Sequence, residues 1–136
     1  MTPDAFAQTH GAAFGSAGWQ ADDFERYLND PKIYISGNAT CFAVFRMMGP
    51  EAEILTLATH PDAQGRGQAT AMLKTALSSL QYEGVKEIFL EVSDKNHAAI
   101  ALYQRAGFSA FSERPKYYAD GSSAICMKAE LSVTFY

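Results

Sequence analysis

The sequence predicts an α/β fold with a mixed sheet, and three observations lead there. Residues 32–36, 41–48 and 51–60 are β-type runs rich in Ile, Tyr, Phe and Val, separated by turn residues at Gly37-Asn38 and Gly49-Pro50. The period then changes. Ala69, Met72, Leu73, Ala76, Leu77 and Leu80 recur at three- and four-residue steps, one face of an amphipathic helix. A further strand, KEIFLEV at 86–92, follows that helix and is apolar enough to lie inside a sheet rather than at its edge. Strand–helix–strand order requires at least a partly parallel sheet with helices on its faces.

Each remaining element has its own signal. Pro3 and Asp4 suit a helix start, and Gly11, Gly15 and Gly18 interrupt the pattern. A short helix over 20–29 stops at Asp30-Pro31, because proline disfavours helix in the residue before it. Pro61-Asp62 closes the third strand, and Gly84 closes the long helix. Ser93 or Asp94 is the expected cap of the next helix, which carries Ala99, Ile100, Leu102 and Tyr103 and stops at Gly107. Two last strands, 108 to about 118 and 123–135, join near Asp120-Gly121.

With 136 residues the chain has the length of one domain, expected over 1–136. Hydrophobic residues make up 48% and charged residues 19%, a globular rather than disordered profile. The net charge of -4 and the lack of a basic block argue against nucleic acid as a partner. The N-terminus has no basic and apolar signal-peptide pattern, and no apolar run approaches the roughly 18 residues needed to cross a bilayer. A cytoplasmic protein without a membrane partner is expected, as a monomer or homodimer. Cys41 and Cys126 lie far apart in apolar runs without metal-ligand spacing, and are expected to be buried thiols. No metal site is expected. His60 and His97 lack partner spacing and are expected at the surface or in caps.

The stretch QGRGQA, residues 64–69, stands where a strand hands over to a helix. A helix N-terminus offers unpaired backbone N–H groups and a positive dipole end, a ready anion site. Glycines at 65 and 67 remove the Cβ that would hold a ligand off the backbone, and Arg66 could add a charged contact. The P-loop pattern fails, since Lys74 is the first lysine after Gly67. The dinucleotide fingerprint fails at Thr70, where it needs a third small residue. A plain strand-to-helix turn remains the alternative.

Gln64, Gly67 and Ala69 match Gln/Arg-x-x-Gly-x-Gly/Ala, the pyrophosphate loop of the GNAT superfamily of N-acetyltransferases, which bind acetyl-coenzyme A. Leu90-Glu91-Val92, then Asn96 to Tyr103, then Ala106-Gly107-Phe108 closely resemble that superfamily's second block. The resemblance runs from about Glu51 to Met127, and its ribosomal-protein-alanine N-acetyltransferase branch is the most similar. Trp19 and the short helix after it extend the likeness toward the N-terminus. It implies a V-split mixed sheet of about seven strands with about four helices. Acetyl-CoA would lie in the split between the strands 51–60 and 86–92, its pyrophosphate on Gln64, Gly65, Arg66, Gly67, Gln68 and Ala69.

The implied chemistry is direct amine attack on a thioester, without a covalent enzyme intermediate. An α-amine titrates at about 7.7–8, so a weak base suffices, whereas a lysine side chain at about 10.4 asks for more. Alternation puts Phe89 and Glu91 on one face of their strand and Ile88, Leu90 and Val92 on the other. A carboxylate there suggests a cleft, where burial would make Glu91 a better base; a solvated strand-end carboxylate is the alternative. The resemblance assigns Glu91 as general base and Tyr103 as the acid that meets the departing sulfur. A thiol titrates at about 8.5 and a tyrosine at about 10, so full proton transfer is uphill by about 2 kcal/mol. A core tyrosine on a helical stripe is the plain alternative. Asn96 is implied to bond the pantetheine arm, or else to satisfy its own helix start. Leu57 and Ala58 sit where the resembling strand bulges, with backbone groups implied to pair with pantetheine and side chains in the core. Tyr117 and Tyr118 are implied to wall the acceptor groove, with edge-strand packing as the alternative. The preferred acceptor is a protein N-terminus; a small amine, or a non-catalytic acetyl-CoA sensor, are the rivals.

Overall fold

The computed structural model of the chain describes residues 2–131. Helices α1 (Pro3–Phe14) and α2 (Ala21–Leu28) come first, then a meander of β1 (Ile33–Asn38), β2 (Cys41–Met48) and β3 (Glu51–Thr59). The order α3 (Gln68–Tyr82), β4 (Glu87–Ser93), α4 (His97–Arg105), β5 (Ser109–Arg114) and β6 (Ala124–Glu130) follows. Among the described residues six strands form one mixed sheet, ordered β1-β2-β3-β4-β6-β5, where about seven were expected. The expected last strand ran to 135, and positions 132–136 lie outside the described residues.

Helix α1 begins as the sequence suggests. Thr2 accepts a hydrogen bond from the Ala5 N–H at 3.2 Å, and Pro3 occupies the first turn, where no N–H partner is needed. The helix does not break at Gly11. A Cβ on Gly18 would lie 2.7 Å from the Gly11 Cα, so the loop after α1 packs directly against a bare helical backbone. Gly37 and Asn38 belong to β1 rather than to a turn. The Asn38 carboxamide instead closes the next two residues, accepting from Thr40 N and Cys41 N.

The sheet splits between β3 and β4. Their parallel pairing holds only at Glu51↔Glu87, Ala52↔Ile88 and Glu53↔Phe89. Beyond Glu53 the two strands part. On its other side β3 stays paired to β2, but Val44↔Thr56 is followed by Phe45↔Ile54. Leu55 is therefore an extra residue, a β-bulge two residues before the expected position at Leu57. The bulge turns both Leu55 and Thr56 toward α1 and α2: Leu55 packs against the cluster there, and Thr56 is bonded to His10.

Two hydrophobic clusters flank the sheet. The larger, between the sheet and helices α3 and α4, contains Leu73, Leu80, Ile88 and Met127. The smaller lies under α1 and α2 and contains Phe6, Phe24, Phe42, Val44 and Ala58. Each fully buried Phe or Leu stabilises the fold by roughly 1.5–3 kcal/mol. Cys41 and Cys126 are both buried free thiols.

Candidate active site

A cavity of about 510 Å³ opens at the end of the split, within the range of about 300–1,000 Å³ usual for small-molecule sites. Leu57, Ala58 and Thr59 of β3, residues Gln64, Gly65, Gly67, Gln68 and Ala69, and Asn96 line it. Ala13 and Phe14 at the end of α1 add a wall. Arg66 does not line this cavity but is exposed beside it in the loop.

The loop is built to leave donors open. Gly65 and Gly67 have φ of +78° and +72°, a left-handed conformation that side chains disfavour. Gly67 is the N-cap of α3, and no side chain caps that helix. Helices α1 and α4, by contrast, are capped by Thr2 and Asn96. The first-turn N–H groups of α3 thus face the cavity mouth, where an anion would complete them. The Gln64 side chain donates to the Thr59 carbonyl at 3.1 Å, bracing the loop against the strand end. His60 also serves the loop, accepting from the Asp62 N–H at 3.2 Å.

Leu57 packs against the larger core and Ala58 is buried in the smaller one, so both side chains are structural. Their backbone edge faces the split, where β4 no longer pairs. Asn96, not Ser93 or Asp94, is the N-cap of α4: its Oδ1 accepts from the Ala99 N–H at 3.1 Å. The side-chain amide nitrogen is left to point a donor elsewhere. Ser93 and Asp94 do different work. Ser93 Oγ donates to Ser122 Oγ at 2.9 Å, and Asp94 Oδ1 accepts from the Ser123 N–H at 3.2 Å. They fasten the segment between β5 and β6 to the end of β4.

That segment carries Tyr117 and Tyr118, which lie in a loop rather than in the expected strand. β5 stops at Arg114 because Pro115 has no N–H to donate, and Lys116 adopts a φ of 52°. Tyr117 is exposed and meets Tyr118 edge-on, with ring centroids 5.2 Å apart. Burial, with the Glu91 carboxylate close by, pushes the Tyr118 phenol up from its usual value. Glu91 lies on the Phe89 face of β4, as alternation requires, but it is exposed rather than buried. Its partner is Arg114, which sequence reasoning missed, at 3.4 Å. Arg114 also stands 5.5 Å over the Tyr117 ring. The structure therefore brings Glu91, Arg114, Tyr117 and Tyr118 together. Glu91 and Arg114 line a second cavity of about 410 Å³, with Glu51, Glu53, Phe89 and Phe111.

Tyr103 approaches from the opposite face of the sheet, inside the larger core, packed edge-on against Phe108 at 5.7 Å. Burial pushes its phenol up from the usual value. Among the described residues its hydroxyl makes no side-chain hydrogen bond, and the residue is buried. It lines neither cavity.

Residues 4–108 match the model of the acetyltransferase (GNAT) family. The chain belongs to that family. It is accordingly an acetyltransferase, and its α/β fold with a split mixed sheet is the expected one. The acetyltransferase is 33% identical over 129 residues to the [ribosomal protein bS18]-alanine N-acetyltransferase of Escherichia coli K12, covering 93% of this chain and 86% of that protein. The corresponding Salmonella typhimurium protein is 35% identical over 114 residues, covering 84% and 72%. The crystal structure of the Escherichia coli ribosomal-protein-S18-alanine N-acetyltransferase superposes with a TM-score of 0.85 at 28% identity, covering 98% of this chain and 90% of that one. Among the described residues no helix is long and apolar enough to cross a membrane.

Proposed function

We propose that this acetyltransferase moves an acetyl group from acetyl-coenzyme A to the α-amine of a protein N-terminus. The observation that carries the reading is the split itself. It exposes the β3 backbone at Leu57 and Ala58 beside an uncapped, glycine-started helix. A chain with amides at one end and phosphates at the other fits that pair of features. The similarity to ribosomal-protein-alanine N-acetyltransferases supports a protein N-terminus as the acceptor. Residues 1–136 would act as one catalytic domain.

Pyrophosphate oxygens would accept from the N–H groups of residues 65–69, with Arg66 adding charge. The Asn96 amide would donate to the pantetheine arm. In the chemical step the amine nitrogen bonds to the thioester carbon and the C–S bond breaks. A β3 backbone N–H would receive the developing oxyanion. Glu91 takes the amine proton through a water, since it stands exposed on β4. The electron pair leaves on sulfur. Tyr103 donates a hydrogen bond to that thiolate rather than a proton, because burial makes its phenol harder to ionise. Tyr117 and Tyr118 wall the acceptor side, held by the Ser93 and Asp94 contacts.

Thiol release from acetyl-coenzyme A with a panel of acceptors tests the reading. The panel holds Ala-, Ser- and Met-starting peptides, their N-terminally blocked forms, and small amines. Turnover with free N-termini alone supports it. Turnover with small amines alone replaces it, and tight binding without turnover would favour a sensor.

A further inference from the structure

His10 has no part in the chemistry above, yet both of its ring nitrogens are hydrogen-bonded inside the helical face. It is buried, 2% exposed. Its Nδ1 accepts from the Trp19 backbone N–H at 2.9 Å, and its Nε2 lies 2.9 Å from Thr56 Oγ1. A backbone N–H can only donate, so Nδ1 is bare and the ring proton sits on Nε2, donating to Thr56. The ring stacks on Trp19 at 4.9 Å and meets Phe14 at 4.5 Å.

These partners are not scattered. Thr56 faces His10 only because the bulge at Leu55 turns two successive residues to that side. Leu57, the next residue, lines the cavity, and so does Phe14. Trp19 leads into α2. One imidazole thus joins the bulged strand, the cavity wall and the loop between the first two helices. The tie adds to the packing of Leu55 and Ala58 in holding the bulge in place, since a one-residue slip would exchange the faces of Thr56 and Leu57.

We propose that His10 is a positioning residue: by holding Thr56 and Trp19 at once, it locks the β3 bulge so that the backbone at Leu57 and Ala58 stands ready for the thioester. The role rests on the acetyl-transfer reading, while the lock itself does not. Two measurements separate them. Amide hydrogen exchange reads the lock without any substrate. In His10→Phe, which keeps a ring, and in Thr56→Val, which keeps the shape, the amide of Ala58, which faces β2, should exchange at least about tenfold faster than in wild type. Steady-state kinetics with the acceptor peptide reads the role. Both variants should lose about tenfold in kcat, with a smaller change in the KM for acetyl-coenzyme A. The double variant should lose no more than either single one, because both remove the same tie. His10→Gln, with a donor and an acceptor, should recover part of the loss. Unchanged exchange at Ala58 would overturn the lock. Faster exchange with wild-type kcat, or additive losses in the double variant, would overturn the positioning role. A wild-type protein inactive with every acceptor would remove the acetyl-transfer reading and the role together, while the exchange data still decide the lock.

Discussion

Arg114 on β5 reaches across β6 to the carboxylate of Glu91 on β4, 3.4 Å away. The register explains the reach. Glu91 is opposite Cys126 and Arg114 opposite Ala124, so their side chains rise on the same open face with one strand between them. Both are partly solvated, and an ion pair of this kind stabilises a fold by less than about 1 kcal/mol. It sets the Glu91 carboxylate beside the second cavity.

Glu91→Gln should therefore lower turnover by about 100-fold while leaving stability and acetyl-coenzyme A affinity close to wild type. The loss should be largest at low pH, where more of the amine carries a proton. Thiol release measured across pH, beside a calorimetric titration of the substrate, checks this. Turnover equal to wild type would remove Glu91 from the mechanism.

For Gly67→Val two effects should add. A side chain at a φ of +72° strains the backbone by about 1–3 kcal/mol. Nothing lies within 4 Å of the new Cβ, so the branched side chain would stand in the open space a pyrophosphate needs. Thermal melting should show the first effect, and loss of acetyl-coenzyme A binding the second. Wild-type affinity in a folded variant would return the loop to a plain turn.

Tyr103→Phe should keep the fold, since the ring fills the same space against Phe108, and should lower kcat by about 100-fold. The raised phenol stays protonated through neutral and mildly alkaline pH. An alkaline decline of the wild-type rate that vanished in Tyr103→Phe would contradict this assignment.

Stability itself should depend on pH through His10. Burial lowers its imidazole from 6.5 to about 4, with the Asp23 carboxylate partly opposing. Between those values the unfolded chain binds a proton that the folded chain refuses. Stability is therefore fully present above about pH 6.5 and is lost as pH falls toward about 4, by up to about 3 kcal/mol. The Asp23 and Asp120 carboxyls, both held low by hydrogen bonds, lose their contribution at still lower pH. Urea unfolding from pH 7 to 4 checks the window. His10→Phe should flatten the slope there, and an identical slope in the variant would rule His10 out.

The fold was legible wherever one period ruled a whole segment. The stripe from Ala69 to Leu80 and the alternation through Ile88, Phe89, Leu90 and Glu91 each fix a face from nearest neighbours alone. The site was legible where a backbone conformation demands a residue type, as at Gly65 and Gly67. What stayed hidden depends on register between distant strands. Nothing near Arg114 marks it as the partner of Glu91, because that pairing exists only once β6 lies between them. Ser93 and Asp94 carry ordinary capping letters, and the fold settles the task on Asn96, whose own helix start the sequence also offered, and hands them the tyrosine loop. His10 sits in a helix among Ala and Gly, and its meaning comes from Thr56, 46 positions away.

The sheet also divides the protein into two compartments with different freedoms to change over evolutionary time. Leu73, Leu80, Ile88 and Met127 share one filling with Tyr103, so drift there disturbs a residue of the proposed chemistry. Phe6, Phe24, Phe42 and Val44 fill the other, beneath the helices. Substitutions in separate fillings combine almost independently when they share no contacts. A lineage could thus repack one filling without compensating in the other, except at His10 and Ala58, where the helical face meets the proposed site.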